Sequence, residues 1–83
     1  MKHRTWKFAV TTSYGIYFGT LEGIQENNES DNDAMKIVSN TVVTAMKRQI
    51  SDIDILACFV SDKELYISAE SGTLINFNIK LDF

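Results

Sequence analysis

The chain has 83 residues, enough for one domain and too few for two, so residues 1–83 are read as a single unit. An apolar share of 45% with 11% aromatics excludes a disordered chain, and no apolar run reaches the roughly 18–20 residues of a membrane-crossing helix. Eleven acids against eight bases leave a net charge of −3, which weighs against binding nucleic acid by counterion release.

The first strand is predicted over Thr5–Thr12. Trp6, Phe8 and Val10 share one face, while Lys7, Ala9 and Thr11 share the other. Ser13-Tyr14-Gly15 supplies the turn, with Gly15 free to take positive φ. A second strand follows over Ile16–Gln25. Ile16, Phe18, Thr20 and Ile24 form one face, and Tyr17, Gly19, Leu21 and Gly23 form the other. Two glycines on one face of a strand mark a bend, a bulge or a place where a neighbour packs against bare backbone.

Glu26–Asp33 is polar throughout and ends in a helix start signal. Ser30 or Asp31 can cap free N–H groups, and Asp33 suits the positive end of the helix dipole. The helix is predicted over Asn32–Gln49. Its inward face carries Met35, Val38, Val42, Ala45, Met46 and Gln49, widened by Ala34, Ile37 and Thr41. Lys47 and Arg48 stand at the negative end. The run Thr41-Val42-Val43-Thr44 has weak helix propensity, so packing must hold the middle.

A third strand is predicted over Ile53–Val60, central in the sheet because its apolar content is dense. Ser61-Asp62-Lys63-Glu64 reads as a hairpin turn, Leu65–Glu70 as a fourth strand and Ser71-Gly72 as a further turn. The last ten residues give the clearest pattern. Ile75, Phe77, Ile79, Leu81 and Phe83 alternate with Asn76, Asn78, Lys80 and Asp82, predicting a closing strand with one dry face. The expected fold is therefore an α+β two-layer sandwich, an antiparallel sheet of about five strands with one helix in the order β-β-α-β-β-β. A single helix covers about half of such a sheet, and the chain has no proline to protect an edge. A homodimer is expected on that ground.

Motifs for chemistry are missing. No phosphate loop, dinucleotide loop, nucleophile elbow or His-Glu-x-x-His is present. One Cys and one His do not supply the four ligands of a structural zinc site. Asp31-x-Asp33 lacks the glycine and closing glutamate of a calcium loop. No metal and no cofactor is expected. Asp52 and Asp54 stand close enough to act as paired carboxylates, but a catalytic pair needs a pocket that shifts its pKa. Cys58 lies in an apolar run and reads as a small hydrophobe. A lone cysteine and the lack of a signal-peptide hydrophobic region point to the cytoplasm. The chain is not expected to be an enzyme.

What remains is a module that binds another protein, of the small acidic inhibitor kind that phages encode against a host enzyme or defence complex. Its expected contact residues are the acids Glu26, Glu29, Asp31 and Asp33, with Tyr14, Tyr17 and Tyr66 as aromatic anchors. The alternative is a nucleic-acid-binding protein that uses Lys2, Arg4 and Lys7 beside the aromatic hairpin.

Overall fold

Alternating apolar side chains and a two-residue turn begin the fold. The computed structural model describes residues 2–63, 65 and 74–75. Strand β1 (Lys2–Thr12) pairs antiparallel with β2 (Gly15–Gln25) in an unbroken register from Lys2↔Gln25 to Thr12↔Gly15. Thr12 closes the turn, since its Oγ1 donates to the Gly15 carbonyl (2.8 Å) and accepts from the Tyr14 N–H (3.1 Å). Gly15 takes φ 135°, a conformation that glycine adopts without a Cβ penalty.

Helix α1 (Asp31–Gln49) starts where Ser30 caps it. The Ser30 Oγ accepts from the Asp33 N–H at 3.2 Å. Lys47 and Arg48 lie in the last turn, and the Ile50 N–H donates to the Met46 carbonyl at 2.9 Å. The buried residues Ala34, Val38, Val42 and Met46 form an i, i+4 ridge laid on the sheet. Ile37, expected on the inward face, is instead 55% exposed, because it lies to one side of that ridge.

Strand β3 (Ile55–Ser61) pairs antiparallel with the other edge of β1, from Lys7↔Ser61 to Thr12↔Ile55, with a bulge between Thr11 and Thr12. The link into it is pinned to the hairpin. Ser13 N–H donates to the Asp54 carbonyl (3.0 Å), and Asp54 N–H donates to Ser13 Oγ (3.3 Å). A short strand β4 (Leu74–Ile75) lies parallel to β2 at Ile16 and Tyr17.

The described order is thus β-β-α-β around a three-stranded antiparallel sheet, β2-β1-β3, with β4 as a two-residue parallel addition on the β2 side. This corrects the five-stranded antiparallel β-β-α-β-β-β expectation. Period-two alternation identifies an extended segment and its faces, but does not say which strand it pairs with or in which direction. The central strand among the described residues is β1, not β3. Phe8, Ala9 and Val10 are buried in succession, whereas Leu56 on β3 is 70% exposed. The strand expected over 65–70 and the closing strand beyond 75 lie outside the described residues, apart from Leu65, which belongs to no strand.

The core lies between the ridge of α1 and one sheet face: Trp6, Phe8 and Val10 from β1, Tyr17 and Leu21 from β2, with Cys58 and Val60 of β3 packed against them. Two glycines of β2 make this possible. A Cβ on Gly19 would stand 2.3 Å from the tip of the Phe8 ring, and one on Gly23 would stand 3.1 Å from the Trp6 ring. The large aromatics of β1 therefore lie across bare backbone of their partner strand, one of the readings that the sequence offered. On the opposite face Ala9 and Ile16 are also buried, with Phe18 and Phe59 directly across from Ala9. Among the described residues no helix is long and apolar enough to cross a membrane.

Candidate functional site

The antiparallel hairpin sends the end of β2 and the start of β1 to the same end of the sheet, where the chain turns into α1. This is where the sequence concentrates its acids, and two internal ion pairs lie here. Both belong to Arg4. Its Nη1 donates to Gln25 Oε1 (2.6 Å) and Asp31 Oδ1 (2.8 Å), and its Nη2 donates to Asp62 Oδ2. The guanidinium also stands 5.4 Å from the centre of the Trp6 ring, within cation–π range. Its side chain is only 8% exposed. Gln25, itself buried, completes the cluster by donating to the Glu29 carbonyl (2.8 Å) and to Asp31 Oδ1 (3.0 Å).

Arg4 is therefore a strut that ties β1 to the end of β2, the helix start and the residue after β3. Sequence reading missed this role, because its partners lie 21, 27 and 58 residues away. The one available signal was an arginine in phase with Trp6 and Phe8, on the face that goes inward. The hydrogen bond from Gln25, then the hydrogen bond and the positive charge of Arg4, hold the Asp31 carboxyl below its ordinary value of 3.8.

Of the expected acidic contacts, Asp31 is paired through Oδ1 with Arg4 and Gln25, although its side chain remains 68% exposed. Glu26 and Asp33 are exposed and Glu29 is half-buried, and none of the three makes an ion pair among the described residues. Glu22, on β2, is exposed and joins them. Tyr14 is exposed at the β1–β2 turn, at the far end of the sheet from these acids. Tyr17 is 7% exposed and packs in the core opposite Val10, so it offers a partner almost no surface. Tyr66 lies outside the described residues. Of the alternative basic set, Lys2 is exposed and shares the face of Arg4, while Lys7 is half-buried on the opposite face. The three bases therefore do not form one patch.

Between α1 and the second half of β2 runs an apolar cleft of about 360 Å³. Trp6, Leu21, Ala34 and Val38 line it, and Glu22 and Glu29 are the charged residues in its wall. Ile24 of β2 and Ile37 of α1 also line it, and they are 49% and 55% exposed. The buried Trp6 Nε1–H has no acceptor among the described residues.

The other candidate chemistry does not assemble. Asp52 (φ 59°) and Asp54 are exposed in the link between α1 and β3. His3 and the register partner of Cys58, Val10, are seven residues apart on β1 and on opposite faces, roughly 23 Å at ~3.3 Å per residue. Burial pushes the Cys58 thiol up from its ordinary value, against a smaller opposing effect of a Ser39 hydrogen bond. No group of three or more His, Cys, Asp or Glu among the described residues is placed to hold a metal ion. What these residues define is a small α+β domain with an acidic end and an adjoining apolar cleft. No protein-family model, no curated protein and no solved structure matches the chain.

Proposed function

We propose that this domain acts without catalysis by binding another protein, as a small inhibitor of the phage-encoded kind that occludes a basic surface of its target. The observation that carries the reading is the division of charge at one end of the sheet. Glu22, Glu26, Glu29 and Asp33 carry no internal ion pair among the described residues, while the arginine beside them is spent on Asp31 and Asp62. These four carboxylates outnumber Lys2, the other base at this strand end, and leave a net negative field at the end of β2 and the start of α1. Such a field steers a positively charged partner and fixes its register.

Capture of partners by the tagged chain from a nuclease-treated lysate tests this reading. The expected result is a stoichiometric protein that withstands nuclease and is lost with the double variant Glu26→Lys, Asp33→Lys. A partner retained equally by the variant, or recovery of nucleic acid alone, contradicts it.

A further inference from the structure

The cleft between α1 and β2 is a feature that the acidic surface alone does not explain. Helix and sheet normally close on each other through apolar side chains, and here they part beside the end of β2. The opening has Leu21, Ala34 and Val38 in its wall. Its volume of about 360 Å³ sits at the low end of the roughly 300–1,000 Å³ of small-ligand pockets. That is room for one or two large side chains and not for a folded element. Half-exposed Ile37 of α1 continues the apolar surface from the cleft to solvent, whereas Ile24, the register partner of His3, lies on the opposite face of β2 and borders the cleft only at the strand edge.

Charge chooses among occupants. The lining contains no base; Glu29 stands at the helix side, Glu22 lies at the strand edge on the opposite face of β2, and Glu26 and Asp33 extend the same sign along the chain into α1. Arg4 stands next to Trp6, but its guanidinium is held by Asp31, Asp62 and Gln25, so it does not neutralise the cleft. An apolar group flanked by positive charge fits this lining, and one flanked by carboxylates is repelled. A second copy of this chain would bring its own acidic rim to the contact, with like charges opposed.

We propose that the cleft seats one apolar side chain, leucine- or phenylalanine-sized, of a basic segment of the bound protein, with flanking Lys or Arg residues against Glu29 and the adjoining acids Glu26 and Asp33. This inference rests on the protein-binding reading and adds to it the place and chemistry of the anchor. Apolar anchors in a desolvated pocket ringed by polar contacts carry most of the affinity of such interfaces.

Trp6 is the chain's only tryptophan and lines the cleft, so its emission reports occupancy. The probes are three capped pentapeptides: Lys-Lys-Phe-Lys-Lys, Lys-Lys-Ser-Lys-Lys and Glu-Glu-Phe-Glu-Glu. The phenylalanine–lysine peptide should change Trp6 emission saturably and bind at least about tenfold tighter than the serine peptide, the smallest factor expected for burying one large apolar side chain. The glutamate peptide should not bind. Ile37→Lys, at an exposed position, and Glu29→Lys should each weaken the phenylalanine–lysine peptide by at least about tenfold while leaving the circular dichroism spectrum and melting temperature near wild type.

Equal affinity for the phenylalanine and serine peptides overturns the anchor, and equal affinity for the lysine and glutamate peptides overturns the charge selection. Emission that changes with protein concentration alone assigns the cleft to a second copy and also overturns it. The captured protein separates the two levels. Loss of that partner on reversing Glu26 and Asp33, with no effect of Ile37→Lys, removes the cleft and leaves the acidic reading standing. Indifference to both removes both.

Discussion

Gly19 offers the sharpest test of the packing. An alanine there would place Cβ 2.3, 2.7 and 3.0 Å from Cζ, Cε2 and Cε1 of Phe8, at or inside the closest approach of real Cβ atoms. Phe8 is 1% exposed and wedged between β2 and the helix ridge, so its ring has nowhere to swing. Two effects oppose each other. Replacing glycine restricts the unfolded chain and stabilises by about 0.4–1 kcal/mol where the backbone permits. Overpacking a filled core costs about 1–3 kcal/mol, and three overlaps with a trapped ring favour the upper half of that range.

Gly19→Ala should therefore destabilise by about 1–2 kcal/mol, a sizeable fraction of the roughly 4–12 kcal/mol expected for a domain of this length. Urea unfolding followed by Trp6 emission gives the value, provided the slope is unchanged. Phe8→Leu removes the ring tip that the new methyl meets. In a double-mutant cycle the two changes should be less harmful together than their sum by at least about 1 kcal/mol. Gly23→Ala, whose Cβ meets a single tight contact at 3.1 Å, should stay within about 1 kcal/mol of wild type. A Gly19→Ala protein as stable as wild type, or an additive cycle with Phe8→Leu, would refute the reasoning.

Further expectations concern the acidic end, the helix cap, the thiol and self-association. Asp31 has its folded pKa depressed, so its contribution to stability is present above its unfolded pKa and is lost as pH falls through the folded value. Asp31→Asn should lower the urea midpoint at pH 7 and flatten the loss of stability below about pH 4; parallel pH profiles would contradict the Arg4–Gln25–Asp31 cluster. Ser30→Ala should cost about 1 kcal/mol through the lost cap to the Asp33 N–H, and an unchanged urea midpoint would show that the cap contributes nothing. Cys58, with its thiol pKa raised by burial, should react with iodoacetamide at pH 7.5 at least about tenfold more slowly than a free cysteine, and a faster rate would contradict that environment. The homodimer proposed on sequence grounds would cover Leu56 and Phe59 of β3; sedimentation should show a dimer that Phe59→Lys dissociates, and a wild-type monomer rejects it.

Local features were legible in the sequence where one residue type answers one local demand. Gly15 at the turn and Ser30, one of two candidates for the cap, were readable because turn and cap depend on neighbours in the chain, and the Gly19–Gly23 face was readable from strand alternation, though not which side chains would lie across it. The sheet was less legible. Dense apolar content suggested a central β3, yet Leu56 and Phe59 point to solvent and β1 takes the centre, since burial depends on which strands stand alongside. Parallel pairing of β4 with β2 could not follow from alternation, which is the same for either direction. At the site, the acids Glu26, Glu29 and Asp33 were visible as a run. Asp31 looked equally available until the fold brought Arg4 to it from the partner strand of the hairpin. The cleft was not visible, because it depends on how far α1 stands from β2 and on Ile37 falling beside the buried ridge instead of on it.

The most direct test of the acidic end is the rate at which the chain associates with its captured partner, at about 50 and about 300 mM salt, for wild type and for the Glu26→Lys, Asp33→Lys variant. The account predicts a wild-type rate that falls severalfold as salt rises, and a variant that associates slowly at both concentrations. Association that is equally fast for both proteins and indifferent to salt would contradict it.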